Sequence, residues 1–211
     1  MNESEDSMQL QASRLGCVRG TRRLFGGVHV ALKAGEALRV AGANGSGKSS
    51  LLRMLCGLTP PHEGDVQWQG VDIHAARAEF ASTLFYLGHG TGIKDDLTAA
   101  ENLSAAATLA GLRSDARTVS KALAEAGAPD GIACRLLSEG QRKRVALARL
   151  ALARERPLWV LDEPFSSLDA AACVYLLDRL RAHVQGGGIL VYTTHEAVAL
   201  DGKVLNLDTA C

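Results

Sequence analysis

One stretch of eight residues has the composition and spacing of a phosphate-binding loop. It fits the pattern G-x-x-x-x-G-K-[ST] at every fixed position and consists of Gly42, Ala43, Asn44, Gly45, Ser46, Gly47, Lys48 and Ser49. Glycines carry no Cβ, so the backbone can wrap closely around an anion and point its N–H groups at phosphate oxygens. Lys48 adds positive charge for the β and γ phosphates, and the Ser49 hydroxyl is a ligand for Mg²⁺.

The residues around this loop predict the elements that position it. Ala37–Ala41 has the pattern of a short buried strand, and Ser50 to Gly57 that of a helix with three leucines facing inward. A strand, a glycine loop and a helix are the context that the motif requires, and a helix N-terminus attracts anions by itself. We therefore count Ser50 among the nucleotide-binding residues. The alternative, a glycine-rich turn with an exposed lysine, does not account for the flanking strand and helix.

Two carboxylates follow a second apolar strand. Leu158 to Leu161 is a continuous apolar run, and Asp162 and Glu163 come directly after it. In a parallel sheet that end lies beside the phosphate loop, where ligands of open α/β folds bind. We predict that Asp162 holds Mg²⁺ together with Ser49, and that Glu163 polarises an attacking water as a general base. The alternative is that both acids merely begin a polar loop.

A third motif predicts the start of a helix at Ser138. Ser138 and Gln141 fit the S-x-x-Q capping box, and residues 142–150 combine an apolar face with a cationic one. An ordinary capped helix accounts for the capping box and for the apolar and cationic faces. It does not account for Gly140, because glycine is costly in a first turn unless something must approach closely.

Bulk composition narrows the possible partners. The 211 residues carry 23 basic and 23 acidic side chains, so no polyanion-binding surface is indicated and no nucleic-acid partner is expected. Five scattered cysteines without a C-x-x-C pair indicate a reducing compartment rather than a disulfide framework or a zinc site. We expect no intrinsic membrane span, because no apolar run reaches about 18 residues. Residues 1–8 are expected to form a loose tail without the features of a signal peptide.

The rest of the chain predicts an α/β fold with a helical insertion. Residues 9–33 have the pattern of antiparallel strands punctuated at Gly26-Gly27 and Gly35. Ala99 to about Ala126 is rich in helix formers and broken at Gly111. Strand–helix alternation then resumes. The other predicted strands and the final helix are Asp65–Trp68, Leu84–Leu87, Ile189–Thr193 and Ala170–Val184.

Taken together, the motifs resemble those of the nucleotide-binding subunits of ABC transporters, in the same order along nearly the whole chain. Leu137–Gln141 resembles the LSGGQ signature, with Glu139 in place of the first glycine of the pair. Asp162 and Glu163 resemble the Walker B aspartate and the catalytic glutamate that follows it. Ser166–Asp169 resembles the D-loop, in which Asp169 is the aspartate. His195 resembles the switch histidine, which in the family contacts the γ-phosphate.

This resemblance implies a fold, an activity and an assembly. The fold is a P-loop NTPase with a RecA-like core, an antiparallel β subdomain and a helical signature subdomain. The whole domain would span 9–211, with the core at about 9–90 and 152–211 and the helical part at about 91–151. The activity is hydrolysis of ATP with Mg²⁺. The partners are a second copy of the chain, whose site is completed by Ser138, Glu139, Gly140 and Gln141, and integral membrane subunits. The location is peripheral, at the cytoplasmic face of the bacterial inner membrane.

Two positions depart from the family pattern. A glutamine usually follows the strand that ends near Leu87, and His89 stands there in this chain. Histidine can still bond a water or a metal-bound oxygen, but its charge can change near neutral pH. The family also stacks adenine on an aromatic residue. By spacing that position falls near Arg19, so that either this guanidinium or Phe25 is expected to replace the aromatic ring.

A narrower resemblance concerns the cargo. Tyr86–Lys94, Glu101–Leu103 and Gln141–Leu150 resemble the ATP-binding subunit of the bacterial haem exporter of cytochrome c maturation, which implies a role in releasing haem-loaded chaperone. Three alternatives remain: the ATPase of another ABC importer or exporter, a soluble ABC protein serving translation or DNA repair, and a small-molecule kinase. Soluble ABC proteins usually have paired cassettes or long coiled-coil insertions. The kinase alternative leaves the signature-like segment and His195 unexplained.

Overall fold

The computed structural model describes residues 9–112 and 114–209, so the predicted N-terminal tail lies outside the described residues. Two sheets and six α-helices make up the fold. In chain order the elements are β1 (Gln9–Arg19), β2 (Arg22–Lys33), β3 (Ala37–Ala41), α1 (Lys48–Leu55), β4 (Glu63–Trp68), β5 (Val71–Asp72), α2 (Arg77–Thr83), β6 (Leu84–Leu87), α3 (Ala99–Leu109), α4 (Ala116–Glu125), α5 (Glu139–Leu152), β7 (Leu158–Leu161), α6 (Ala170–Gln185), β8 (Ile189–Thr193) and β9 (Lys203–Asn206).

The central sheet is parallel and has the strand order β6-β7-β8-β3-β9. Every residue of β7 and β8 is buried, because α1 and the antiparallel sheet contribute to the core on one face and α5 and α6 to the core on the other. Three of its strands were predicted from continuous apolar runs and β3 from its position before the glycine loop, and the structure confirms their bounds. Since the strands are parallel, the residues that follow β3, β7 and β8 emerge at one edge of the sheet.

The second sheet is antiparallel, with the order β2-β1-β4-β5. The prediction of antiparallel strands in residues 9–33 is confirmed, but the expected break at Gly26-Gly27 is wrong. These glycines lie within β2, where Leu15 pairs with Val28 and Cys17 pairs with Phe25. β2 therefore carries one residue more than β1 over this interval, which is a β-bulge, and Gly27 supplies the positive φ of 66°.

The predicted helical region forms α3 and α4, and Gly111 follows α3 with a left-handed φ of 66°. Thr98 and Glu101 form a capping box at the start of α3. The two helices and α5 share a core that includes Leu103, Val119 and Val145. The proposed limits of this subdomain, at about residues 91 and 151, stay a prediction. In the part of the chain that the structure describes, no helix has the length and hydropathy to cross a membrane.

A partly buried histidine joins α6 to the central sheet. The ring of His183 stacks on Trp159 at 4.0 Å between centroids, and its Nε2 lies 3.1 Å from the carbonyl oxygen of Ile189. A Cβ at Gly188 would overlap the His183 ring, so only glycine fits beside it. Desolvation lowers the pKa of His183 to about 4, although the carbonyl contact opposes this shift. The ring is therefore neutral in the folded protein near neutral pH, with Nε2–H donating to the carbonyl.

This histidine should make stability depend on pH. The unfolded chain takes up a proton near pH 6.5, whereas the folded one does so near pH 4, so stability is lost as the pH falls between these values. We expect wild type to lose about 2 kcal/mol more than His183→Phe between pH 7.5 and pH 5.0. Urea unfolding at the two pH values measures this difference. The matched control is His29→Phe, at an exposed position of β2, which should lose as much unfolding free energy between the two pH values as wild type does. Equal losses of unfolding free energy for wild type and His183→Phe would contradict the conclusion that His183 causes this pH dependence.

Candidate functional site

A cavity of about 720 Å³ opens at the edge of the parallel sheet where β3, β7 and β8 end. Most of the predicted site residues line it, although they lie far apart in the chain. Those in the lining are Arg19, Asn44, Gly45, Gly47, Lys48, Ser49, Ser50, His89, Asp162, Glu163 and His195. Arg22, Leu24 and Ser166 complete it. One cavity thus brings together a glycine loop, a lysine, two carboxylates and two histidines.

The glycine loop has the backbone that its sequence predicts. Gly42, Gly45 and Gly47 all have positive φ angles, and a Cβ at Gly47 would come within 2.9 Å of the Phe25 ring. Lys48 Nζ donates to the carbonyl oxygens of Gly42, at 2.8 Å, and Ala43, at 3.1 Å, so its ammonium group curls back over the loop. The loop leads directly into α1, whose N-terminus therefore faces the cavity.

Three residues of the loop lie outside the cavity lining. They are Gly42, Ala43 and Ser46. The N–H of Ala43 donates to the carboxylate of Asp208, at 3.0 Å from both oxygens, and so points away from a phosphate. Asp208 follows β9 and was not singled out from the sequence, because its partner is 165 residues away. Its contact fastens the first turn of the loop to the C-terminal part of the fold.

Thr193 links the two carboxylate residues and was also missed. Asp162 is 2% exposed, and its Oδ1 accepts a hydrogen bond from Thr193 Oγ1 at 2.8 Å. The same hydroxyl oxygen accepts a hydrogen bond from the backbone N–H of Glu163, also at 2.8 Å. A threonine that ends a fully buried apolar strand is the only sequence signal for this role. Thr193 fixes the position of β7's end relative to that of β8.

The carboxylate of Glu163 is buried but weakly held. Its side chain is 15% exposed, and Oε1 lies 3.4 Å from Nε2 of His195 without hydrogen-bond geometry. Among the described residues, none forms a hydrogen bond with this oxygen. The backbone of Glu163 is left-handed, with φ of 49°, which is uncommon outside glycine. Glu163 also lines the cavity, so its carboxylate is placed to polarise a water molecule there.

The two residues expected to contact the adenine ring occupy different environments. Arg19 is exposed and lines both this cavity and an adjoining one of about 520 Å³, which Arg53 and His62 also line. Phe25 is 0% exposed and packs beneath Gly47, so the expectation that its ring is available for stacking is wrong. Arg19 therefore stays the predicted contact for adenine.

The signature-like residues lie outside this cavity. Ser138 and Gln141 form the predicted capping box of α5, which is confirmed by reciprocal hydrogen bonds of 2.9 and 3.3 Å. Gly140 is needed because a Cβ there would lie 2.9 Å from the carbonyl oxygen of Ser167. Glu139 accepts a hydrogen bond of 2.6 Å from the Ser167 hydroxyl.

Asp169 also contacts α5 rather than the cavity. Its carboxylate caps α6 through the N–H of Ala172 and pairs with both oxygens to Arg144 at 2.6 Å. The hydrogen bond from Arg144 holds the pKa of this exposed carboxyl below its usual range. The D-loop-like segment and the N-terminus of α5 are therefore tied to each other within one chain.

Comparison with known proteins identifies the family. The profile of the family described as "ABC transporter" matches residues 25–166. The chain belongs to the ABC transporter family. Two relatives of this ABC protein are both described as "Cytochrome c biogenesis ATP-binding export protein". That of Dechloromonas aromatica is 48% identical, covering 90% of this chain and 93% of its own. That of Cupriavidus metallidurans is 46% identical, covering 95% of each chain.

Solved structures agree on the fold of the ABC protein. A putative ABC transporter ATP-binding protein from Pyrococcus furiosus superposes with a TM-score of 0.82 at 22% identity, covering 96% of this chain and 98% of the other. A dimeric ATP-binding cassette in a post-hydrolysis state bound to ADP and phosphate has a TM-score of 0.75 at 24% identity, with 89% and 88% covered.

These findings confirm the predicted fold and activity class. The chain is an ABC-type ATPase with a P-loop NTPase core, an antiparallel sheet and a group of helices. Membership of this family also removes the small-molecule kinase as an alternative. The nucleotide that this class of ATPase hydrolyses is ATP.

Proposed function

We propose that this ATPase powers a haem exporter that acts in the biogenesis of c-type cytochromes. The observation that carries the proposal is the description shared by relatives that are 41–48% identical over about nine-tenths of the chain, as ATP-binding export proteins of cytochrome c biogenesis. The chain would act as a homodimer, bound to integral membrane subunits at the cytoplasmic face of the inner membrane. Its ATP cycle would drive release of haem-loaded chaperone on the periplasmic side.

The cavity residues have the chemistry that Mg²⁺ and ATP require. Mg²⁺ bound through phosphates takes one or two protein oxygens, and Ser49 and the buried carboxylate of Asp162 supply them in one cavity. The metal would neutralise charge on the phosphates. Lys48 and the N–H groups of the loop would bind the β and γ phosphates, while Arg19 would contact the base. Among the described residues, no cluster of three His, Cys, Asp or Glu side chains could hold a metal without phosphates.

Glu163 and His195 would carry out the hydrolytic step. The unpaired oxygen of Glu163 would accept a proton from the attacking water, and His195 would donate a hydrogen bond to the γ-phosphate. Nε2 of His195 lies 3.4 Å from Oε1 of Glu163, so each side chain limits the position of the other. His89, two residues after β6, lines the same cavity and would contact the γ-phosphate or the attacking water.

The position of the signature residues supports a two-site dimer. Ser138 is exposed at the N-terminus of α5 and outside the cavity of its own chain, so a phosphate that it binds must belong to a second copy. Its hydroxyl and the free N–H groups of α5 suit an anion. Two copies related by a two-fold axis would then enclose two ATP molecules, and hydrolysis would loosen the pair.

The helical part of the chain supports contact with membrane subunits. Exposed apolar side chains are present there, including Leu109, which is 89% exposed, Ile132 and Leu136. Contact with membrane subunits would cover these side chains. We infer that the His89 loop and residues 99–126 pass the state of the nucleotide to the membrane subunits.

Purification from membranes tests this proposal. A tagged chain isolated from detergent-solubilised membranes should retain integral membrane subunits of cytochrome c biogenesis, and deletion of the gene should abolish c-type cytochromes. Wild-type protein should restore them, whereas Lys48→Ala should not. Recovery of the subunits of another transporter would instead support the alternative of a different cargo. Capture of nucleic acid at physiological salt would support the soluble, non-transport class.

A further inference from the structure

A lysine of α5 is buried against the loop that follows β7. The sequence places Lys143 on the cationic face of α5, yet in the structure it is 4% exposed. Its Nζ donates to the backbone carbonyl oxygen of Glu163 at 2.9 Å and lies 3.4 Å from Oγ of Ser166. Burial lowers the pKa of Lys143, while the charges of Asp162, Glu163 and Glu139 oppose that shift. A buried ammonium group is costly without such partners, so this position is specific.

The backbone of Glu163 is held on both sides of the residue. Its N–H donates to Thr193, and its carbonyl accepts hydrogen bonds from Lys143 and from Oγ of Ser166, the latter at 2.9 Å. These contacts hold a left-handed conformation that costs free energy for any residue with a Cβ. The carboxylate lacks a comparable hydrogen-bonded anchor on Oε1. Its direction is therefore set chiefly by the backbone.

We propose that Lys143 is a positioning residue for ATP hydrolysis, because it holds the peptide carbonyl of Glu163 so that the carboxylate faces the cavity. The inference rests on the proposed role of Glu163 as the general base. Lys143 also lies five residues after Ser138 on one continuous helix. Any movement of α5 when Ser138 binds the nucleotide of a second copy would reach the Glu163 carbonyl directly. The rate of hydrolysis in the cavity of one chain would therefore depend on how α5 of the same chain docks at the cavity of the second copy.

A positioning role and a purely structural role predict different kinetics. We expect Lys143→Met to lower kcat by 10- to 100-fold, since a displacement of about 1 Å in a catalytic group costs up to about 100-fold. The ATP dissociation constant should change by less than about threefold, because Lys143 lies outside the cavity lining. Lys143→Arg keeps a cationic donor and should recover most of the rate. If Lys143→Met does not fold, Lys143→Gln, which is polar and of similar length, replaces it.

The decisive experiment combines the substitution with Glu163→Gln. It uses the full-length chain purified with its membrane subunits, and single-turnover hydrolysis of labelled ATP. If Lys143 acts through Glu163, Lys143→Met should cause no further loss in the Glu163→Gln background. The matched control is Arg149→Met, a partly buried cation of α5, which lies 5.5 Å over the Phe85 ring. Its hydrolysis rate should stay within about twofold of the wild-type rate, or fall by the same factor in both backgrounds.

Each outcome decides between the explanations. Equal losses from Lys143→Met in both backgrounds, or a wild-type rate for Lys143→Met, would overturn the positioning role. A loss confined to the background that has Glu163, with ATP affinity retained and Lys143→Arg active, supports it. Normal hydrolysis by Glu163→Gln alone would instead remove Glu163 from the mechanism, and this failure of the proposed function is visible before Lys143 is altered.

Discussion

Glu163→Gln should bind ATP with near wild-type affinity and hydrolyse it 100- to 10,000-fold more slowly, since general-base catalysis contributes about this much. The amide has the shape of the carboxylate but cannot accept the proton of the attacking water. The backbone contacts of Glu163 with Thr193 and Lys143 do not involve the side chain, so the fold of the cavity is preserved. Steady-state hydrolysis and binding of a fluorescent ATP analogue measure the two effects.

The control for this substitution is Glu155→Gln. Glu155 is exposed in the loop before β7 and has the same chemistry without access to the cavity. It should keep the wild-type rate. A Glu163→Gln protein that hydrolyses ATP normally would show that the base is another group.

Lys48→Ala should abolish hydrolysis by weakening ATP binding. Hydrogen bonds that involve a charged group contribute about 1.5–3 kcal/mol each, so losing the ammonium group lowers ATP affinity by at least about tenfold. The loop itself should persist, because its conformation depends on three glycines with positive φ and on the contact of Ala43 with Asp208. Isothermal titration with ATP and Mg²⁺, together with a thermal unfolding curve, measures both properties.

The matched control for the lysine is Lys121→Ala. Lys121 is an exposed residue of α4 whose ion pair with Glu125 spans 4.0 Å. Removing it should change ATP affinity by less than about twofold, since surface ion pairs contribute little. Retention of wild-type affinity by Lys48→Ala would remove the phosphate loop from the mechanism.

The sequence predicted the central elements of the fold well, for a physical reason. β7 and β8 are covered on both faces, so their residues are all apolar and stand out against the polar turns beside them. The same holds for β3 and β6 in large part. The Ser138–Gln141 capping box was predictable because it is a contact between residues three apart.

Peripheral elements were missed because their sequences are not apolar. β9 has the burial pattern of an edge strand, and Leu205 is the only one of its residues that is not exposed. α2 is short and buries only Phe80. Gly26 and Gly27 suggest a turn in the sequence because a bulge and a turn both favour glycine, and only pairing with β1 distinguishes them.

The candidate site was predicted as far as its motifs are local in sequence. The loop, Asp162, Glu163, His89 and His195 could be placed by order alone, and the structure brings them to one cavity. Thr193 and Asp208 act through partners 31 and 165 residues away. The sequence predicts that Lys143 lies on a cationic helix face, and nothing in α5 itself shows that the Glu163 loop covers this position. Such contacts follow from tertiary packing rather than from a local pattern.

The central claim is that ATP is enclosed between two copies of the chain, and a structure of Glu163→Gln with ATP and Mg²⁺ tests it most directly. The quantity to measure is the distance from the Ser138 hydroxyl to the γ-phosphate of the ATP bound by the second copy. We expect a hydrogen bond of about 3 Å, with a two-fold axis between the copies. A protein saturated with ATP in which Ser138 lies more than about 10 Å, several times hydrogen-bond length, from every γ-phosphate would contradict the account.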